Sequence, residues 1–145
     1  MRLVWIVALL SPAASAQGGA APRWTSVPAD TVRWEVVSDS LGRRVYIDAE
    51  TVERGETVVE VWTWHAYAEA RQPPRGAAYD WEISQDRVFC ALQMTAPLQV
   101  ARYLGGERAG AFMYPPEVGP YGWAPGSTAE AVGERVCAGE AASGR

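Results

Sequence analysis

The sequence predicts an α+β fold: a small antiparallel β-sheet of about five to six strands, packed by a C-terminal α-helix and held by one disulfide. Three observations predict it. Between Thr31 and Tyr114, apolar residues recur with a period of two in several segments separated by Gly, Pro, Asp and Ser. Ser127-Thr128-Ala129-Glu130 is the one clear helix-opening signal. Cys90 and Cys137 are the two cysteines, and each falls on an apolar stripe of its own element.

Composition bounds the classes of function. A chain of 145 residues with 48% hydrophobic and 21% charged residues lies near ordinary globular composition, and its length suits one domain. Thirteen positive residues, all Arg, stand against seventeen acidic ones for a net charge of −4. The basic footprint that draws proteins to nucleic acid is therefore missing. The absence of Lys and Asn beside abundant Ala, Gly and Arg reflects GC-rich coding rather than a function. No internal repeat is visible.

Residues 1–16 read as a signal peptide. Arg2 supplies the positive start, Leu3 to Leu10 the apolar run, Pro12 the break, and Ala14-Ser15-Ala16 the small-residue cleavage site. The apolar run is too short to cross a bilayer, which takes about 20 residues, and no other segment approaches that length. With no Cys at the end of the run there is no acceptor for a lipid anchor. The mature chain is expected to be exported, periplasmic or secreted, with surface association not depending on a lipid.

Residues 17–30, rich in Gly, Ala and Pro, form a flexible leader, and the domain spans 31–138. Val32, Trp34 and Val36 alternate with Arg33, Glu35 and Val37; after the turn residues Asp39, Ser40 and Gly42, Val45 and Ile47 alternate with Arg44, Tyr46 and Asp48. That is a hairpin with one buried face. Glu56 to Ala70 is a long strand; from Glu56 to Glu69 its even positions are apolar in five of seven cases and its odd positions in three of seven. The even face, with Trp62 and Trp64, is expected to meet the core. Ala78 to Ile83 is extended. Arg87 to Thr95 alternates Val88, Cys90, Leu92 and Met94 on one face, and Val100 to Leu104 pairs with Ala111 to Tyr114 across a Gly105-Gly106-Glu107 turn. Pro115 to Gly126 is a loop. The helix opens at Ser127 and carries Ala129, Val132, Val136 and Cys137 on one stripe; Gly139 stops it, and 139–145 is a tail.

Two cysteines in an exported chain favour a disulfide over a metal or redox site, the other readings being two buried thiols or a bond between chains. An intramolecular Cys90–Cys137 bond would close a loop of about 48 residues and stabilise the fold by about 4 kcal/mol on the chain-entropy model.

Trp34 opening a strand, Val45-Tyr46-Ile47-Asp48 followed by Thr51-Val52, the aromatic strand Val58 to Tyr67, Cys90, Tyr103 before a Gly turn, Trp123-Ala124-Pro125-Gly126-Ser127 and Val136-Cys137 stand in order along the chain. With them the sequence resembles the bacterial surface-adhesin protein E family from about Trp34 to Cys137. The resemblance implies a small antiparallel sheet with a C-terminal helix, a disulfide between the matched cysteines, and an envelope or surface protein, with adhesion to host matrix proteins in the members that named the family. This chain departs from that picture in lacking a lipid-anchor Cys.

Catalytic chemistry has few carriers. His65 is the only His, with Tyr67 and Glu69 on its strand face, and His65 with Glu69 gives two ligands where a closed metal site needs three or four. There is no Gly-x-Ser-x-Gly, the proposed disulfide removes the thiolates, and Gly105-Gly106 sits between strands rather than before a helix. The carboxylates Glu56 and Glu60, or Asp80 and Glu82, read as solvated strand charges. No catalytic residue, metal or cofactor is assigned. Trp81, Tyr114, Tyr121 and Trp123, in or beside loops, are the candidate partner-binding aromatics, the competing reading being that they cover the core. The expected function is a non-catalytic exported protein that binds a protein or envelope partner. The alternatives are an accessory subunit or homodimer pairing through a strand edge, and a periplasmic enzyme using His65 with a carboxylate.

Overall fold

The structure is a computed structural model and describes residues 34–40 and 42–138. The expected signal peptide, leader, residues 31–33, Gly139 stop and C-terminal tail lie outside the described residues.

Eight strands form one antiparallel sheet: β1 Trp34–Ser40, β2 Arg43–Asp48, β3 Glu53–Arg54, β4 Val59–Arg71, β5 Tyr79–Phe89, β6 Met94–Leu104, β7 Glu107–Met113 and β8 Tyr121–Gly122; the helix α1 is Thr128–Cys137. The main path runs β1-β2-β4-β5-β6-β7, with β3 on β4 and β8 on β6. The count exceeds the five to six expected because β3 and β8, two residues each, are too short to show a period.

One face of the sheet lies under α1. Val45, Ile47, Val59, Val61 and Val88 from three strands pack with Val132 and Val136 of the helix. The long strand is therefore turned the other way from its expected orientation. Odd positions Val59, Val61 and Thr63 are fully buried, while Trp62 and Trp64 are only half-buried on the opposite face. Short β-branched side chains let a helix approach closely, whereas indoles would hold it off. On the opposite face the large rings cover one another across strands: Tyr46 stacks on Trp64 at 4.8 Å and Trp81 on Tyr103 at 3.8 Å, with Trp34 and Trp81 edge-on to Trp64. Counting apolar residues chose the wrong face because this aromatic row is apolar without needing a second layer.

Three local departures have physical causes. A register shift between Val36 and Ser38 brings Val37 against the core and leaves Val36 exposed, where simple alternation put Val36 inside. β5 is continuous through Ser84-Gln85-Asp86, which split it in the sequence reading, because those side chains find hydrogen-bond partners on neighbouring strands. Cys90–Leu92 is a 3-10 turn rather than strand. It ends at Gln93 in the left-handed region (φ 51°), and Leu92 is exposed instead of buried.

The helix begins as expected. Ser127 Oγ accepts from the Glu130 amide at 3.2 Å, while the Glu130 carboxylate reaches the Gly126 amide at 2.6 Å, one residue before the usual capping-box donor. The predicted Cys90–Cys137 disulfide is present and ties the end of α1 to the turn after β5. Arg54 donates to the Val136 carbonyl at 2.7 Å, satisfying a helix-end acceptor.

Candidate functional site

The valine core covers only part of the face under α1. Beyond it, period two carries the same face into polar residues: Thr63, His65 and Tyr67 on β4, Asp86, Ser84 and Glu82 on β5, and Arg43 on β2 opposite Tyr67. A cavity of about 300 Å³ opens there, with Arg43, His65 and Asp86 in its wall beside Ser127 to Ala129 at the start of α1 and Tyr121 of β8.

Hydrogen bonds order this cluster. Asp86 Oδ2 accepts from Thr63 Oγ1 at 3.0 Å and from Ser84 Oγ at 3.1 Å, and the two hydroxyl oxygens are 2.7 Å apart. With the Thr63 proton committed to Asp86, the 3.2 Å contact to His65 is Nε2–H donating to Thr63. Nδ1 of His65 then carries a lone pair, and it is shut off from solvent without a partner. Burial pushes the Asp86 carboxyl up to about 6 despite its two donors, and burial pulls His65 down to about 4 against the Glu82 charge and with a smaller push from Arg43. At neutral pH the pocket thus holds a neutral imidazole, a carboxylate and a guanidinium. Arg43 donates to the Thr128 hydroxyl.

A second network flanks the first. Glu82 accepts from Tyr67 at 2.8 Å and from Arg102 at 3.1 Å, and the Arg102 guanidinium lies over the Tyr79 and Phe112 rings. Glu82 is therefore a half-buried, paired carboxylate and not the solvated strand charge its sequence context suggested. Glu60 is likewise held, by Arg87.

The four candidate aromatics part company. Trp81 joins the aromatic row on the far face. Trp123 packs against the core and donates Nε1–H to Thr95 at 2.9 Å, so it closes the fold under α1. Tyr114 and Tyr121 remain near each other: Tyr121 is half exposed in the cavity wall, its hydroxyl raised to about 12 by burial and the neighbouring Asp86 charge. The sequence reading missed Arg43, Thr63, Ser84 and Asp86. Asp86 stands two residues before buried Val88, and a polar residue in phase with a core position was the available signal.

Among the described residues no cluster of His, Cys, Asp and Glu has the make-up of a metal site, and no helix is long and apolar enough to cross a membrane.

Fold and site together define a disulfide-clamped α+β domain whose sheet carries a largely apolar pocket, edged by Arg43, His65 and Asp86, beside the start of its helix. The family model for surface-adhesin protein E matches residues 34–138, and the chain belongs to that family. The solved structure of Haemophilus influenzae protein E is similar in fold, with a TM-score of 0.53 at 14% identity over 79% of this chain and 91% of that one. Its crystal form II gives a TM-score of 0.47 at 14% identity over 66% and 80%. No curated protein matches the chain.

Proposed function

We propose that this chain is an exported, non-catalytic envelope protein that binds a protein or another envelope component through the segment from the end of β7 to β8. The observation that carries the reading is apolar exposure. Phe112, Met113, Val118 and Tyr121 are 37%, 65%, 40% and 49% exposed within ten residues of chain. Met113 and Val118 line a groove of about 420 Å³ together with Phe89, Leu98, Tyr114 and Pro116. A groove lined by aromatic, Met and Pro side chains suits an apolar anchor from a protein partner. Family membership supports an adhesin-like role, and the signal-peptide pattern supports export.

The test is capture of partners from envelope and host-matrix fractions by the mature chain, beside a Met113→Asp/Tyr121→Ser variant. Specific capture that the variant loses supports the reading; no capture above background sinks it.

One observation favours a second reading, assembly through a strand edge. β7 stands at the end of the sheet path and, among the described residues, pairs only with β6. Size-exclusion chromatography with light scattering distinguishes a monomer from a homodimer or larger assembly.

A further inference from the structure

We infer that the cavity beside the N-terminal turn of α1 binds a small zwitterion carrying both an amine and a carboxylate, the chemistry shared by free α-amino acids and very short peptides. The inference rests on charges that line one open-sided cavity and are uncompensated among the described residues. Arg44, Arg87, Arg102 and Arg135 each pair with a carboxylate. Among the described residues Arg43 pairs with no carboxylate; its partner is the neutral Thr128 hydroxyl. Asp86 takes two hydroxyl donors on Oδ2, none on Oδ1, and no cation among the described residues. Both groups line the same cavity without pairing with each other.

Further polar groups stand in the wall. The first amides of α1 have no acceptor within the helix, the Glu130 amide being taken by Ser127. His65 Nδ1 is a buried acceptor without a donor among the described residues. Ala124, Val132 and the Tyr121 ring complete the wall. A carboxylate toward Arg43 and an ammonium toward Asp86 would neutralise both charges at once. A simple anion would leave Asp86 uncompensated, and a simple amine would do the same to Arg43. At about 300 Å³ the cavity lies at the small end of ligand sites, which sets the ligand's size.

The experiment is calorimetric titration and thermal shift of the mature chain with each of the common free amino acids and with a set of dipeptides. Saturable binding by at least one compound is expected, and it should weaken at least tenfold when that compound's amine is acetylated or its carboxylate amidated. Arg43→Gln and Asp86→Asn should each weaken it at least tenfold, and Glu35→Gln, on the surface of β1, should leave it unchanged. If either pocket variant fails to fold by circular dichroism, the blocked compounds decide the matter with the unaltered chain. Preference for free amino acids or for dipeptides supports the inference and names the source. Absence of binding by both sets, or equal binding of the blocked forms, overturns it.

Discussion

Gly133 of α1 and the indole of Trp123 occupy complementary space: a Cβ built at residue 133 would stand 2.1 Å from Trp123 Cζ2. The helix can lie on the sheet only because it has no side chain there, and the same indole donates to Thr95 on β6.

Gly133→Ala should therefore destabilise the protein although Ala is the better helix former by about 1 kcal/mol. Overpacking costs about 1–3 kcal/mol, and displacing the indole forfeits about 1 kcal/mol more from the Thr95 bond. The net loss should lower the melting temperature by several degrees, with a changed tryptophan emission. A melting temperature at or above that of the unaltered chain would show that the indole moves aside freely.

Reduction of Cys90–Cys137, which lie 47 residues apart in sequence, should cost about 4 kcal/mol. Denaturant titration with and without reductant reads it as a lower midpoint. Cys90→Ser/Cys137→Ser should match the reduced protein, and coincident midpoints for oxidised and reduced chain would contradict the assigned role.

The pocket makes a paired prediction about pH. Asp86, raised from 3.8 to about 6, binds more protons folded than unfolded, so its contribution to stability falls as pH rises between those values. His65, lowered from 6.5 to about 4, binds fewer protons folded, so its contribution rises with pH between about 4 and 6.5. The two slopes oppose each other in nearly one window, and the unaltered chain should be almost flat there on their account. Asp86→Asn should expose the rising slope and His65→Gln the falling one, each at most about 1.4 kcal/mol per pH unit. Denaturation midpoints from pH 4 to 7 check this; slopes of the same sign in both variants would refute it.

Orientation of the long strand is testable by truncation. Val61→Ala, at a fully buried position under α1, should cost about 2 kcal/mol or more through lost burial and a residual cavity. Glu35→Gln, by contrast, removes the exposed Arg135 pair joining β1 to α1 and should cost less than about 1 kcal/mol. Chemical denaturation of both variants measures the contrast, and equal losses would argue against the Val face as the core.

Much of the fold was legible because its determinants are local. Ser127 and Glu130 announce the helix start by their own chemistry, and Gly105-Gly106 turns the β6–β7 hairpin with both residues at positive φ. What failed was whatever depends on the opposite side of the sheet. Trp62 and Trp64 are as apolar as any core residue, and only the rings of Tyr46, Trp81 and Trp34 reveal that this face is covered by its own side chains. The candidate pocket was almost illegible. Arg43, His65 and Asp86 come from three strands that are adjacent only after pairing, and in sequence each looks like an ordinary strand polar residue.

By itself, the sequence determined the α+β class, most strand positions, the helix cap and the family resemblance, and favoured a bond between its two cysteines, since period and capping chemistry act over short range. Tertiary structure alone decided which face of β4 meets the helix, that Trp123 serves the core while Tyr121 stays at the surface, and that Arg43 and Asp86 share a cavity without a mutual bond. Those outcomes depend on register and on where α1 lies, and residues far apart in the chain acquire that chemistry only when the sheet brings them within reach.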